Sequence, residues 1–265
     1  MVEGRTRVFL AGGICIETPH GLLLEGGFPG RQARHCFARL VGVHGQPVSR
    51  EELADELWPG ELPMSWEIAI RAIVSKLRMV LAGFGVTGAT ISAISGSYQL
   101  DLPANVRLDI DAAADAMHGA EAALARGETD VACGWSLVAR AISSRPLLPG
   151  LDGPWLELKR DHLADIRVRA LSCLAEVWIR QGDASLAARD AQEALRLDPL
   201  REISHRLLIR AELASGDRGS AIRAYERCRR TLWEELGVVP SPETTALVAG
   251  LRLRPERSRA SSERG

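Results

Sequence analysis

The side chains best suited to contact a ligand lie between Ser65 and Ala82, where apolar residues recur at helical spacing. Arg71, Ser75 and Lys76 lie on or beside the face opposite those apolar residues. Side chains of these types donate hydrogen bonds to base edges in the DNA major groove, and apolar side chains contact thymine methyl groups there. The stretch therefore predicts a DNA-recognition helix, and its candidate contacts are Arg71, Ala72, Ile73, Ser75, Lys76 and Arg78.

The outer face of this helix is poor in hydrogen-bond donors, which predicts weak binding by a single copy of the chain. Opposite the predicted buried stripe stand Ile68, Ala72, Lys76 and Met79. Residues 1–107 contain ten Lys or Arg and ten Asp or Glu, so this part has no net basic charge to attract DNA. Dimerisation on tandem sites is the expected compensation.

A second group of side chains is placed to contact the phosphate backbone of DNA. It consists of two arginines that begin the first predicted helix and three residues of a predicted hairpin, namely Arg31, Arg34, Ser92, Ser95 and Tyr98. Three of them have a structural alternative, which is solvation for the two arginines and a buried position between hairpin and helix for Tyr98. For Arg78 the alternative to DNA is an ion pair with the preceding helix, at Glu52, Asp55 or Glu56.

The elements that position these residues begin with a small sheet and two helices. Short apolar runs separated by turn residues predict an antiparallel sheet within residues 5–28. The pattern then becomes helical from Arg31 towards Gly45. Ser49 and Glu52 have the spacing of a capping box, which begins a second helix.

The recognition helix and a hairpin complete the predicted domain. Ser65 is expected to cap the helix, and its buried stripe consists of Ile70, Val74, Leu77 and Leu81. Thr90–Ala93 and Tyr98–Leu102 are predicted to form the two strands of the hairpin. A sheet, three helices and a closing hairpin are the order of a winged helix-turn-helix, in which the hairpin is the wing.

The C-terminal half is predicted to be a helical repeat. Gly182-Asp183 recurs at Gly216-Asp217, an offset of 34 residues, and Ala187 recurs as Ala221. This is the period of the tetratricopeptide repeat, in which two antiparallel helices pack closely through small residues. Chance similarity in an Ala-rich helical region is the alternative.

The chain is therefore predicted to be mainly α-helical. An N-terminal winged helix-turn-helix with small β-sheets is expected over residues 1–105, followed by an all-α tetratricopeptide-like domain over residues 106–252. Residues 253–265 are polar and lack periodicity, so they are predicted to form a disordered tail.

Composition argues against several other classes of protein. The net charge is −1, and the five cysteines are scattered without a Cys-x-x-Cys pair, as expected of reduced thiols in a cytoplasmic protein. No apolar run is long enough to cross a membrane. The six histidines show no metal-binding spacing, and no nucleophile or phosphate-loop motif occurs. We therefore expect no catalysis, no metal and no cofactor. Four tryptophans, at 135, 155, 178 and 233, are predicted to pack between repeats rather than to form a ligand cage.

Several segments resemble the SARP-type (antibiotic regulatory protein) transcriptional activators. Their second helix, recognition helix and wing are similar to Val48–Pro59, Ala69–Arg78 and Gly96–Leu100. Their companion bacterial transcriptional activator domain is similar in its most distinctive segments, Pro154-Trp155, Asp198–Glu202 and Glu234–Glu243. The resemblance implies an OmpR/PhoB-type winged helix that binds direct repeats near a promoter and recruits RNA polymerase.

The prediction from sequence is thus a DNA-binding transcriptional regulator. Its expected partners are double-stranded promoter DNA, RNA polymerase and a second copy of the chain bound through the helical repeats, with no membrane. The competing hypothesis is a protein-interaction adaptor whose winged helix no longer binds DNA.

Overall fold

A computed structural model describes residues 6–86 and 88–251. They fall into two compact units, the first within residues 1–119 and 137–167 and the second within residues 120–136 and 168–265. The predicted tail over residues 253–265 lies outside the described residues. Helices dominate and small sheets lie near the N-terminus, as predicted. In the described part of the chain, no helix is long and apolar enough to cross a membrane.

The described elements include seven strands. They are β1 (Thr6–Phe9), β2 (Cys15–Thr18), β3 (Gly21–Leu24), β4 (Pro47–Ser49), β5 (Thr90–Ile94), β6 (Ser97–Asp101) and β7 (Val106–Leu108). The α-helices are α1 (Arg31–Val41), α2 (Arg50–Leu57), α3 (Trp66–Gly83), α4 (Asp109–Ala125), α5 (Thr129–Ser143), α6 (Pro154–Gln181), α7 (Ala184–Leu197), α8 (Glu202–Ala214), α9 (Arg218–Leu236) and α10 (Pro242–Ala249).

The first sheet has the strand order β3-β2-β1-β7. The antiparallel pairing of β1, β2 and β3 confirms the predicted N-terminal sheet, whereas β7 was not predicted and adds in parallel beside β1. Asp109 follows β7, and its buried carboxylate accepts the backbone N–H groups of Leu10 and Ala11 at 3.0 and 2.9 Å. Burial raises the pKa of Asp109, although these hydrogen bonds act in the opposite direction.

The helices of the winged domain follow the predicted apolar pattern. α1 begins at Arg31 as predicted but ends at Val41, before the expected Gly45. The capping box of α2 is confirmed, since Ser49 Oγ accepts the Glu52 N–H at 3.0 Å and Glu52 accepts the Ser49 N–H at 2.8 Å. Ser65 stands at the N-cap of α3 without a side-chain hydrogen bond, so the predicted cap lacks its bond.

The second sheet has the order β4-β6-β5. β5 and β6 form the predicted hairpin, the wing, around Ser95 and Gly96, which both have positive φ (45° and 87°). β4 was not predicted and pairs with β6 immediately before α2. The wing is therefore connected through the sheet to the start of the helix-turn-helix.

The second unit contains the predicted 34-residue repeat. Gly182 and Gly216 have nearly the same positive φ, 84° and 82°, before helices α7 and α9. The aspartate after each glycine caps the next helix, at 3.0 Å from Asp183 to the Leu186 N–H and 2.8 Å from Asp217 to the Ser220 N–H. The equivalent turns and caps confirm the repeat.

Candidate nucleic-acid interface

The helix α3 presents two apolar faces, of which the domain covers only one. The predicted stripe of Ile70, Val74, Leu77 and Leu81 is buried in the core. On the opposite side lie four exposed residues that we call the exposed ridge, Ile68, Ala72, Ser75 and Met79. Ile68 and Met79 retain 67% and 64% of their accessible surface. The side of α3 predicted to contact DNA is therefore open to solvent.

Ile73 does not belong to that open side. It is only 9% exposed and lies with Ile70 and Val74 in the core. Residues three or four positions apart share one side of a helix, so Ile73 extends the buried stripe from Ile70. The predicted contact between Ile73 and DNA is corrected on this ground.

Arg71 and Lys76 lie on either side of the exposed ridge. Arg71 pairs with Glu67 one turn earlier at 3.0 Å, and both side chains are more than half exposed. Exposed pairs of this kind contribute little to stability, so Arg71 can exchange Glu67 for a phosphate. Among the described residues, Lys76 has no ion-pair partner. Both cations are thus available to a ligand.

Arg78 has a different partner from those predicted. Its Nε and Nη2 atoms donate to the backbone carbonyl of Ile91 in β5, at 2.9 and 2.6 Å. The predicted alternatives were DNA or an acidic residue of α2. Arg78 instead attaches α3 to the wing through the Ile91 carbonyl.

The wing residues divide into exposed and buried positions. Ser95 is exposed at the tip, and Ser92 is half-buried with its hydroxyl donating to the Gln99 carbonyl at 3.4 Å. Tyr98 is only 4% exposed, and the Arg50 guanidinium lies 5.8 Å from its ring centroid. Tyr98 therefore packs between wing and helix, and its predicted backbone contact with DNA is corrected.

The two arginines at the start of α1 contact protein groups. Arg31 Nε donates to the Gly150 carbonyl at 3.2 Å, and its guanidinium lies 3.6 Å from Asp152. Arg34 is half-buried and pairs with Glu25 at 3.3 Å. Arg31 is exposed and Arg34 is half-buried, so the predicted contacts of both arginines with the DNA backbone stay predictions.

Sequence reasoning missed a buried polar contact between α2 and the start of α6. One oxygen of the Glu56 carboxylate accepts the backbone N–H of Trp155 at 3.0 Å, and the other oxygen lies 3.6 Å from His35 Nε2. A Cβ on Gly153 would lie 2.1 Å from that oxygen, so a larger residue at this position would displace the Glu56 carboxylate. We call this arrangement the Glu56 joint.

The ring of Trp155 lies on α1. A Cβ on Gly42 would approach the ring to 2.3 Å, and the Arg39 guanidinium lies 5.4 Å from the ring centroid. The prediction that Trp155 packs between repeats is therefore wrong. Burial lowers the pKa of His35, and the Arg31 charge lowers it further, so burial favours the neutral imidazole beside Glu56.

A family model provides the decisive comparison. The model described as the bacterial transcriptional activator domain matches residues 108–252, more than half of the chain. The chain belongs to this family. The predicted membership of the SARP-type regulators is thereby confirmed. The match to the activator-domain family begins at the last residue of β7 and includes Gly153 and Trp155 of the Glu56 joint.

The chain is also similar to proteins that are named as regulators. The regulatory protein AfsR of Streptomyces coelicolor is 32% identical over 213 residues, which cover 80% of this chain and 21% of AfsR. The transcriptional regulatory protein EmbR of Mycobacterium tuberculosis is 30% identical over 233 residues, covering 87% of this chain and 59% of EmbR. This chain therefore spans about a fifth of the length of AfsR.

A solved structure has the same fold. It is that of Mycobacterium tuberculosis EmbR in complex with a low affinity phosphopeptide, with a TM-score of 0.78 and 28% sequence identity. The superposition covers 92% of this chain and 64% of that chain. The likeness extends across both the winged helix and the activator-domain family match.

Proposed function

We propose that this protein is a DNA-binding transcriptional regulator, an activator that binds tandem repeats in promoter DNA and has no catalytic activity. The observation that carries the proposal is the open side of α3, where Arg71, Ser75 and Lys76 are exposed while the opposite side is buried. A helix held in this way can enter the major groove without unfolding the domain. Ala72 lies on the same open side and completes the proposed groove contact.

The wing and the first helix supply the proposed contacts with the DNA backbone. Ser95 is exposed at the tip of the wing, and Arg78 holds the wing against α3. Ser92 lies in β5 opposite Gln99 of β6, and Arg31 is exposed at the start of α1. Such contacts position a protein on DNA without selecting its sequence.

The helical residues 106–252 are proposed to mediate dimerisation and contact with RNA polymerase. Trp233, Leu236 and Val239 lie at or just after the end of α9 and are 61%, 55% and 70% exposed. Exposed apolar groups of this size often mark protein contacts. In sedimentation velocity, we expect a dimer that Trp233→Glu converts to a monomer. An unchanged sedimentation coefficient would remove this surface from the dimer.

DNA binding is tested by selection from a random duplex library. Duplexes of about 30 base pairs hold two half-sites one helical turn apart. The full chain is expected to enrich a repeated sequence, and its affinity for that duplex should fall steeply between roughly 50 and 200 mM salt. Fluorescence anisotropy measures both the affinity and its dependence on salt.

A protein-interaction adaptor is the second candidate function. Two observations favour it, namely the balanced charge of residues 1–107 and the apolar side chains of the exposed ridge. The same experiment separates the two functions. An adaptor is expected to enrich no sequence and to bind none of the duplexes even at the lowest salt concentration.

A further inference from the structure

The exposed ridge combines an apolar centre with charged edges. Ile68, Ala72, Ser75 and Met79 fall within an arc of about 60° around the axis of α3 at 3.6 residues per turn. Arg71 lies about 60° to one side of Ile68, and Lys76 about 80° to the other. All six residues are exposed. The centre of the exposed side of α3 therefore carries one hydroxyl and three apolar side chains.

This pattern limits what the helix can recognise in the major groove. Guanine, adenine and cytosine are distinguished there by their hydrogen-bonding groups, whereas thymine also carries the C5 methyl group. Apolar side chains placed over unpaired polar base edges would desolvate them at a cost. A thymine methyl is the base-edge group that an isoleucine or methionine can cover favourably.

We infer that the exposed ridge recognises thymine methyl groups, with Ile68, Ala72 and Met79 as the residues that determine specificity. The inference rests on the proposed function. Met79 lies eleven positions after Ile68, which corresponds to about 16 Å of helix. The thymines are therefore expected within about five consecutive base pairs of each half-site, at 3.4 Å per base pair.

The charged edges favour DNA over a protein partner as the occupant of the ridge. The two phosphate backbones run along both sides of the major groove, which is about 12 Å wide. Arg71 and Lys76 flank the apolar centre on opposite sides, so each cation faces one backbone when the ridge faces the bases. Charge and shape are thus complementary to one ligand, a thymine-containing duplex.

The test replaces thymidine with deoxyuridine in the duplex that the full chain selects from a random library. This change removes only the C5 methyl group and leaves every base-edge hydrogen-bonding group in place. The affinity is expected to fall about fourfold for each methyl recognised, the factor for burying one methylene-sized group.

A pair of matched variants assigns the effect to the ridge. Ile68→Ala should bind the thymidine duplex more weakly and should discriminate less between thymidine and deoxyuridine. The control is Leu24→Ala, because Leu24 in β3 is 60% exposed, close to the 67% of Ile68, and lies outside α3. It should retain the affinity and the discrimination of the unmodified chain. Thermal unfolding verifies that both variants are folded.

The outcomes distinguish the inference from the proposed function. Equal affinity for thymidine and deoxyuridine duplexes would overturn the inference and leave DNA binding intact. Full discrimination by both Ile68→Ala and Met79→Ala would likewise overturn the assignment to the ridge. Failure to enrich any duplex would overturn the inference and the proposed function together.

Discussion

The Glu56 joint hides its polar groups from water, whereas the exposed ridge places apolar groups in water between two charges. In the joint, the backbone N–H of Trp155 donates a hydrogen bond to the Glu56 carboxylate. Removing either group leaves the other buried without its hydrogen-bond partner. On α3, Arg71 and Lys76 are solvated and can change partners at little cost. The joint therefore has the properties of a structural contact. The ridge has the properties of a surface that can bind a ligand.

The largest expected effect comes from removing the acceptor in the Glu56 joint. Glu56→Ala should lower the free energy of unfolding by about 3 kcal/mol, because it leaves the Trp155 N–H without its charged partner. Urea denaturation measures the change. Asp55→Ala is the matched control, since Asp55 is the exposed neighbour in α2 and its loss should have little effect. If the two variants lost the same free energy of unfolding, the Glu56 joint would stabilise the fold no more than an exposed side chain does.

A smaller effect is expected on the ridge side, and it should appear in binding rather than in stability. Lys76→Ala is expected to weaken binding to the selected duplex and to reduce the slope of log affinity against log salt by about 1, because it removes one phosphate contact. The control is Lys159→Ala, which removes the other lysine of the chain from α6. Anisotropy titrations compare the two variants. If Lys76→Ala binds like Lys159→Ala, Lys76 is not part of the interface.

Two serines at the starts of α2 and α3 are expected to differ in how much they stabilise the helix-turn-helix. Ser49→Ala should lower stability by about 1 kcal/mol, because its hydroxyl caps α2. Ser65→Ala should change stability far less, since Ser65 makes no side-chain cap bond to α3. Thermal and urea unfolding of both variants measure the difference. A loss at Ser65 as large as that at Ser49 would show that α3 also depends on its cap.

The smallest effect concerns pH and a buried group in the second unit. Burial lowers the pKa of His205, the Arg227 charge adds to this, and the hydrogen bond to the Pro199 carbonyl opposes it. As the pH falls, the unfolded chain therefore takes up this proton before the folded chain does. The contribution of His205 to the free energy of unfolding is complete above pH about 6.5 and decreases below that value. His205→Gln should reduce the loss of stability between about pH 7 and 5. If the free energy of unfolding of His205→Gln depended on pH as steeply as that of the unmodified chain, the prediction would be contradicted. His35 is still present in this variant and accounts only for its own part of the pH dependence.

Local signals in the sequence predicted most of the winged helix. The capping box of Ser49 and Glu52 and the stripe from Ile70 to Leu81 involve residues within a few turns of each other. β4 and β7 were missed because each has three residues and pairs with a strand distant in sequence. A strand that short carries too little alternation to be recognised.

The site was predicted less well than the fold. Ile73 lies three residues after Ile70, so the apolar period alone indicates the core, and the prediction overlooked it. The Glu56 joint links residues 99 positions apart, which no local pattern reveals. One signal was available, because Glu56 follows Leu53 by three residues on the inner side of α2 and a buried carboxylate requires a partner.

The parallel pairing of β7 with β1 has a consequence for how the chain can be divided. A fragment ending at residue 105 would lack β7, and β1 would then present an unpaired edge to solvent. The Leu10 and Ala11 amides would also lose the Asp109 carboxylate that accepts their hydrogen bonds. The winged-helix half and the activator-domain match therefore share one structural element, and an isolated winged helix cut before β7 is expected to aggregate through its open edge.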